Sequence, residues 1–207
     1  MPLLIRDLPH ITEIEPGLFI GDFTSSSQLS TLKHHSITAI VSLAQTESEL
    51  WGRAENRELV PKDDHMYVCC ADSPSQDLLG RLCGICDFID KHSPGPPKNN
   101  VLVHCTAGVS RSATAVVAYL MRKSQQSLDE VLKSVKDKRR IKPSGNFLEQ
   151  LQIWEEVGYR VWEDDERTKP KERYREFIER QRAKAEYKAK ARHHRDCYFR
   201  NLDYASR

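Results

Sequence analysis

Between Val101 and Met121 the chain passes from a short apolar run, Val101-Leu102-Val103, through His104-Cys105-Thr106-Ala107-Gly108-Val109-Ser110-Arg111-Ser112, into the apolar stretch 113–121. The first run suits a buried strand and the last a buried helix, so the nine residues between them sit where a strand ends and a helix begins. Unpaired backbone N–H groups and the positive end of the helix dipole converge at such a junction, which makes it a site for an anion. A cysteine facing that field ionises more readily, because its charged form is stabilised. Arg111 adds a planar fork that can grip two oxygens of one phosphate, which a lysine ammonium cannot do. Thiolate, amide cradle and bidentate clamp together describe attack on a phosphate monoester. A buried cysteine beside an ordinary capped helix would leave the arginine six residues later unexplained.

The remaining chain alternates strand-like and helix-like segments. Residues 14–21 read as a Pro-Gly turn and a short strand, 25–35 as a surface helix, and 38–43 as a central β-branched strand. Residues 45–63 read as a short helix or excursion. A further strand candidate, 65–71, ends at Asp72. Leu78, Leu79, Leu82, Ile85, Cys86 and Ile89 then recur at helical spacing, with Asp77 as the expected N-cap. A Pro-Gly break at 93–100 precedes the Val101 strand. Ser127-Leu128-Asp129-Glu130 is a capping-box start for a helix to about Lys138, and Phe147, Leu148, Leu151 and Trp154 mark one more. The alternation predicts an α/β domain whose sheet is covered on both faces.

Charge divides the chain. Of 32 basic and 30 acidic residues, 14 and 10 fall in 163–207, which leaves 18 and 20 in 1–162. The expected organisation is therefore a catalytic domain over 1–162 and a basic, partly helical tail over 163–207. Residues 167–195 hold 12 basic and 4 acidic residues, with Tyr174, Phe177 and Ile178 as a short apolar stripe. Two readings stand for this region: a solvated helix docked over one turn, or an electrostatic arm for an acidic protein, RNA or an import receptor.

The six cysteines show no secreted framework, the opening "MPLLIRDLPH" carries charges and a proline, and no apolar run is long enough for a bilayer span. An intracellular protein of the cytoplasm and/or nucleus, without membrane contact, is expected. Cys83 and Cys86 form a Cys-x-x-Cys inside a helical pattern with no second pair, so neither a metal nor another cofactor is expected. His34, His35, His193 and His194 read as surface residues.

His104 to Ser112 resembles the signature His-Cys-x5-Arg-Ser/Thr of the protein tyrosine phosphatase superfamily. The longer run "VLVHCTAGVSRSATAVVAYLM" is similar to the dual-specificity branch, near the MAP-kinase phosphatases and their small atypical relatives. Element order follows that branch from about Ile14 to Trp154. The resemblance implies the cysteine-phosphatase fold: a central mixed, mostly parallel sheet flanked by helices, here followed by a charged C-terminal helical tail. It implies Cys105 as nucleophile, Arg111 as the group that binds the transferring phosphoryl, and Ser112 as a hydroxyl that helps the thiolate depart. Taken alone, Asp72 in "ADSPSQDLL" suits a catalytic carboxylate or a turn aspartate equally; the resemblance makes it the general acid and later the base. Thr106, Ala107, Val109 and Ser110 supply chiefly backbone N–H groups, Gly108 lets the loop curl, and these with Arg111 form the expected substrate-binding loop. His104 is expected to orient that loop rather than carry a proton.

Ser144 stands where many relatives have asparagine, although Pro143 and Phe147 fit; the hydrogen bond supporting the loop is then expected to take another route, for instance through Asn146. The run 136–142 can meet acidic substrate flanks or simply complement a helix C-terminus. The loop interior holds no lysine or histidine, where related phosphoinositide phosphatases often carry extra basic residues, which argues against lipid head groups; the dual-specificity resemblance implies a shallow pocket admitting phosphotyrosine and phosphoserine/threonine on a phosphoprotein. Cys69 and Cys70 alternate across a strand, so one of them faces the Cys105 side and could pair with it on oxidation. Two alternatives stay open: a weakly catalytic phosphoprotein-binding scaffold, and a phosphatase for RNA 5′-phosphate or carbohydrate phosphate. The sequence leaves the oligomeric state and the individual substrate open.

Overall fold

The computed structural model of the chain describes residues 8–92 and 99–205. The opening patch, most of the Pro-Gly break and the side chains of His193 and His194 lie outside the described residues. The chain separates into two compact units, 1–161 and 162–207.

The first unit is built on five strands: β1 (Ile11–Glu15), β2 (Leu18–Gly21), β3 (Ile37–Ala44), β4 (His65–Cys69) and β5 (Asn100–His104). Their order across the sheet is β1-β2-β5-β3-β4. Only β1 and β2 pair antiparallel, through the Pro-Gly turn; the other three pairings are parallel. The sheet is thus mixed and mostly parallel. β5, its central strand, delivers Cys105 to the carboxyl edge, where open α/β sheets place their ligands.

Alternation along each strand sorts the two faces. Leu102 of β5, Ile40 of β3 and Phe19 of β2 pack with Leu32, Trp51 and Val60 on one side. That side is covered by α2 (Leu29–His34), α3 (Ala54–Leu59) and the 3₁₀ turn Glu49–Gly52. On the other side α5 (Arg111–Ser124) is surrounded by α4 (Leu79–Lys91), α6 (Leu128–Lys138) and α7 (Gly145–Glu156). Every residue of α5 from Arg111 to Met121 is buried, as its apolar composition requires of a central helix. Trp154 of α7 is fully enclosed and its indole N–H reaches the Ala118 carbonyl at 3.1 Å, so burial leaves no donor unmet.

Three local expectations need correction. The single helix over 25–35 is two, α1 (Phe23–Ser27) and α2, separated by an extended Gln28. Ser25, Ser26 and Ser27 each donate their hydroxyl to the carbonyl three residues back, a local bonding pattern that competes with helix propagation. Strand β1 was not visible in the alternation because it is a half-exposed edge. Asp77 lies one residue before the N-cap position of α4, yet its carboxylate still accepts the Gly80 N–H at 3.1 Å. The Ser127 capping box forms as expected at the start of α6.

In the second unit, a bridge between Trp162 and Pro170 precedes the 34-residue helix α8 (Glu172–Ala205), whose first turn packs Tyr174 edge-on against Trp162, centroids 5.4 Å apart. Among the described residues no helix is long and apolar enough to cross a membrane.

Candidate active site

Cys105 follows β5 directly, and its N–H still reaches Gly21 of β2, so the sulfur is held by the sheet rather than by a free loop. The residue is 2% exposed. Burial by itself pushes its thiol up; the Ser112 hydroxyl and N–H, the Arg111 guanidinium and the Gly108 N–H outweigh that and bring it below the ordinary cysteine value. The Ser112 hydroxyl donates to Sγ at 3.3 Å from a fully buried position.

The loop curls because its carbonyls are tied outward. Arg139 Nε donates to the Gly108 carbonyl at 2.9 Å, and the Lys142 N–H donates to that of Val109 at 2.9 Å. Gly108 has φ +66°, and a Cβ there would stand 2.6 Å from the Gly21 carbonyl oxygen and 2.4 Å from Arg139 Nη2. Only glycine satisfies both constraints. Phe23 of α1 fastens the mouth of the loop by donating its N–H to the Thr106 carbonyl at 3.2 Å.

Arg111 opens α5 and is buried. Its Nη1 donates to the carbonyls of Leu43 (3.2 Å) and Cys70 (3.0 Å), at the ends of β3 and β4, and its Nη2 donates to Thr106 Oγ1 (2.8 Å). Nε, also buried, has no hydrogen-bond partner among the described residues. Such a donor is expensive to leave unmet, at about 1–3 kcal/mol, and suits a tetrahedral oxyanion placed above Cys105.

His104 is held from the opposite face. Its Nε2 lies 2.6 Å from Ser42 Oγ, which lies 2.8 Å from His65 Nε2, while His65 Nδ1 is 3.3 Å from Arg57 Nη1. A guanidinium can only donate, so His65 Nδ1 accepts and its proton sits on Nε2. Ser42 therefore accepts from His65 and donates to His104, whose proton is left on Nδ1. Both rings stay neutral: burial lowers His104 to about 3, and burial with the Arg57 charge lowers His65 to about 4. His104 is thus a fixed, uncharged support.

Asp72 is exposed at the end of β4. Its Oδ1 accepts the Ser110 hydroxyl at 3.2 Å, and the same hydroxyl oxygen accepts the Ser144 N–H at 3.3 Å. The Ser110 side chain, in a residue expected to contribute chiefly its backbone N–H, links that loop to the aspartate. Ser144 reaches the loop through its backbone and uses its hydroxyl to cap α7 at Phe147. The Asn146 amide donates to the carbonyls of Ser73 and Gln76, beside Asp72. Arg139 was hidden in a run read as surface charge; its guanidinium also reaches Thr12 Oγ1 and the His10 carbonyl. Of the two adjacent cysteines, Cys69 is exposed, whereas Cys70 is buried and feels the charges of Arg111 and Cys105. Among the described residues no group of three or more His, Cys, Asp or Glu is arranged to hold a metal.

The family model "dual specificity phosphatase, catalytic domain" matches residues 18–157. The chain belongs to the dual-specificity branch of the protein tyrosine phosphatase superfamily. The chain is 33% identical over 161 residues to dual specificity protein phosphatase MPK-4 of Drosophila melanogaster, covering 73% of this chain and 38% of that protein. With human dual specificity protein phosphatase 26 it shares 37% identity over 142 residues, covering 69% and 65%. The chain thus spans less than two thirds of the length of these curated relatives. The crystal structure of the Yvh1 phosphatase domain from Chaetomium thermophilum matches with a TM-score of 0.63 at 28% identity, covering 72% of this chain and 97% of that one. The human tyrosine phosphatase-like serine/threonine/tyrosine-interacting protein matches at 0.61 and 30%, covering 71% and 96%.

Proposed function

We propose that this chain is a protein phosphatase that hydrolyses phosphotyrosine and phosphoserine/threonine esters through a phosphocysteine intermediate. One observation carries the reading: a thiol lowered despite burial sits beneath an arginine fork, with a carboxylate docked on the same loop. In the first step the Cys105 thiolate attacks phosphorus, the ester P–O bond breaks, and Asp72 gives its proton to the departing oxygen. Arg111 and the loop N–H groups neutralise charge on the three phosphoryl oxygens. In the second step the Asp72 carboxylate takes a proton from water, whose oxygen attacks phosphorus. The S–P bond breaks, and the Ser112 hydroxyl bonds the released thiolate. No step calls for a metal.

Residues 1–162 are the catalytic part in this reading, and 163–207 a basic appendage that contacts an acidic protein or RNA. A reducing intracellular compartment suits the ionised thiol. Vanadate-sensitive hydrolysis of an aryl phosphate and of phosphotyrosine and phosphothreonine peptides, lost in Cys105→Ser, is the expected result. Turnover surviving that substitution contradicts the mechanism. Tight phosphopeptide binding without turnover in the unsubstituted chain identifies a scaffold, and turnover confined to RNA 5′-phosphate or sugar phosphates moves the substrate class. Removing 167–207 should leave hydrolysis intact and abolish salt-sensitive RNA or polyacidic binding; unchanged binding removes that role from the tail.

A further inference from the structure

We propose that Gln150, with Asn146 one turn earlier on α7, is a positioning residue that sets the Asp72 carboxylate over Cys105. The inference rests on the reading of Asp72 as general acid. Asp72 itself is exposed, and its one described side-chain partner is Ser110. An exposed carboxylate on a loop gains little from that single bond, so its height and direction are set by the residues on either side of it.

Those residues are held by amides. Gln150 is fully buried, and its Oε1 accepts the N–H groups of Leu78 (2.8 Å) and Leu79 (2.7 Å), donors that the start of α4 leaves without helical partners. Its Nε2 donates to the Gln76 carbonyl at 2.8 Å. Asn146 Nδ2 donates to the same carbonyl at 2.8 Å and to the Ser73 carbonyl at 3.2 Å. The Gln76 side chain folds back, accepting the Ala71 N–H at 2.8 Å and donating to the Asp77 carbonyl at 2.9 Å. Ala71 and Ser73, the two neighbours of Asp72, are each fixed by this set.

The residue types follow from the task. At one point Gln150 must accept twice and donate once; a primary amide does both, a carboxylate only accepts, and a thioether of the same length effectively does neither. Asn146 and Gln150 are four apart, so both amides leave α7 on one face. The loop is thus a carboxylate arm braced from a helix that supplies no group to the phosphate.

Leaving-group dependence tests the brace. A misplaced acid slows esters whose alcohol needs protonation and spares those whose phenolate departs unaided. The full chain and its Gln150→Met, Asn146→Ala, Gln76→Ala and Asp72→Asn variants are compared on aryl phosphates, from p-nitrophenyl to unsubstituted phenyl, with Cys105 alkylation followed against pH. The brace variants should lose about tenfold or more in kcat/KM, which reports the leaving-group step alone, on phenyl phosphate and less than about threefold on the nitrophenyl ester. Their alkylation profile should match that of the unsubstituted chain. Equal loss on both esters, which is how a merely structural defect acts, overturns the proposal, as does no loss. If Asp72→Asn shows the leaving-group effect and the brace variants do not, the brace alone fails. If Asp72→Asn shows none, the acid assignment fails and takes the brace with it. Should the buried Gln150 variant not fold, the half-buried Asn146 and Gln76 variants carry the same test.

Discussion

The hydroxyl that bonds the Cys105 sulfur lies seven residues away in sequence, whereas the side chains that brace the Asp72 loop from α7 lie 70 to 74 residues from the groups they hold. The two loops face each other across one Ser110 hydroxyl and are stabilised by different means. The cysteine loop buries its working side chains, Cys105, Arg111 and Ser112, and carries its own donors, so its electrostatics travel with the strand–loop–helix unit. The aspartate loop keeps its functional group in solvent, where local bonds are weak, and takes its geometry from tertiary packing. A nucleophile has to be ionised before substrate arrives; an acid has to be reachable and correctly aimed.

The largest effect should come from the buried side. Arg111→Lys keeps the charge but loses the fork and its hold on three protein acceptors, and turnover should fall by about 10²–10³. Steady-state hydrolysis of an aryl phosphate measures it, and near-native turnover would show that the loop does not depend on that fork. Next comes the joint. Ser110→Ala should slow turnover by about three- to tenfold, and the effect should vanish in an Asp72→Asn background, because the two side chains act through one bond. Additive losses in that double-mutant cycle would mean that the loops work independently.

Thiol titration sharpens the contrast further. Ser112→Ala removes a donor that lowers the Cys105 pKa, so the pH midpoint of its alkylation should move upward, while Asn146→Ala leaves it in place. Cys70 and Cys86, pushed up to about 12 by burial, should stay unlabelled at neutral pH in either variant. The smallest effect is on stability. His104 is lowered to about 3 when folded and titrates near 6.5 when unfolded, so below pH 6.5 the unfolded chain binds the extra proton. Stability is complete above that pH and declines as the pH falls towards 3, by about 2 kcal/mol at pH 5 from this ring. Urea midpoints at pH 7.5 and 5, compared between the chain and its His104→Gln variant so that the similar contribution of His65 cancels, test it; the same pH difference in both would remove this ring from the account.

Legibility in the sequence follows the same division. Cys105, Arg111 and Ser112 could be placed from a contiguous pattern because strand, loop and helix are adjacent in the chain. The parallel strands were visible as β-branched runs, and the Ser127 helix start was visible because a capping box is local. Gln150 looked like one polar residue on an amphipathic helix, and Arg139 like one charge among several. Nothing in period or composition separates a side chain that reaches a distant carbonyl from one that reaches water. The bonds from Asn146 to the Ser73 and Gln76 carbonyls were not legible either: sequence spacing gives the face of α7 it occupies, not the distant turn it meets. The split of the first helix was equally hidden, since serine hydroxyls can serve either as helix caps or as helix breakers.

The Arg139 guanidinium ties the back of the cysteine loop to Thr12 and to the carbonyl of His10, both upstream of residue 18, where the family match begins. The amino-terminal edge of the sheet is therefore a buttress of the catalytic floor, although it contributes nothing to chemistry. A shortened version beginning at residue 18 would keep every reacting group and the Arg139 bond to Gly108 but strip that guanidinium of its anchors at Thr12 and His10, leaving a complete active site on a loosened foundation.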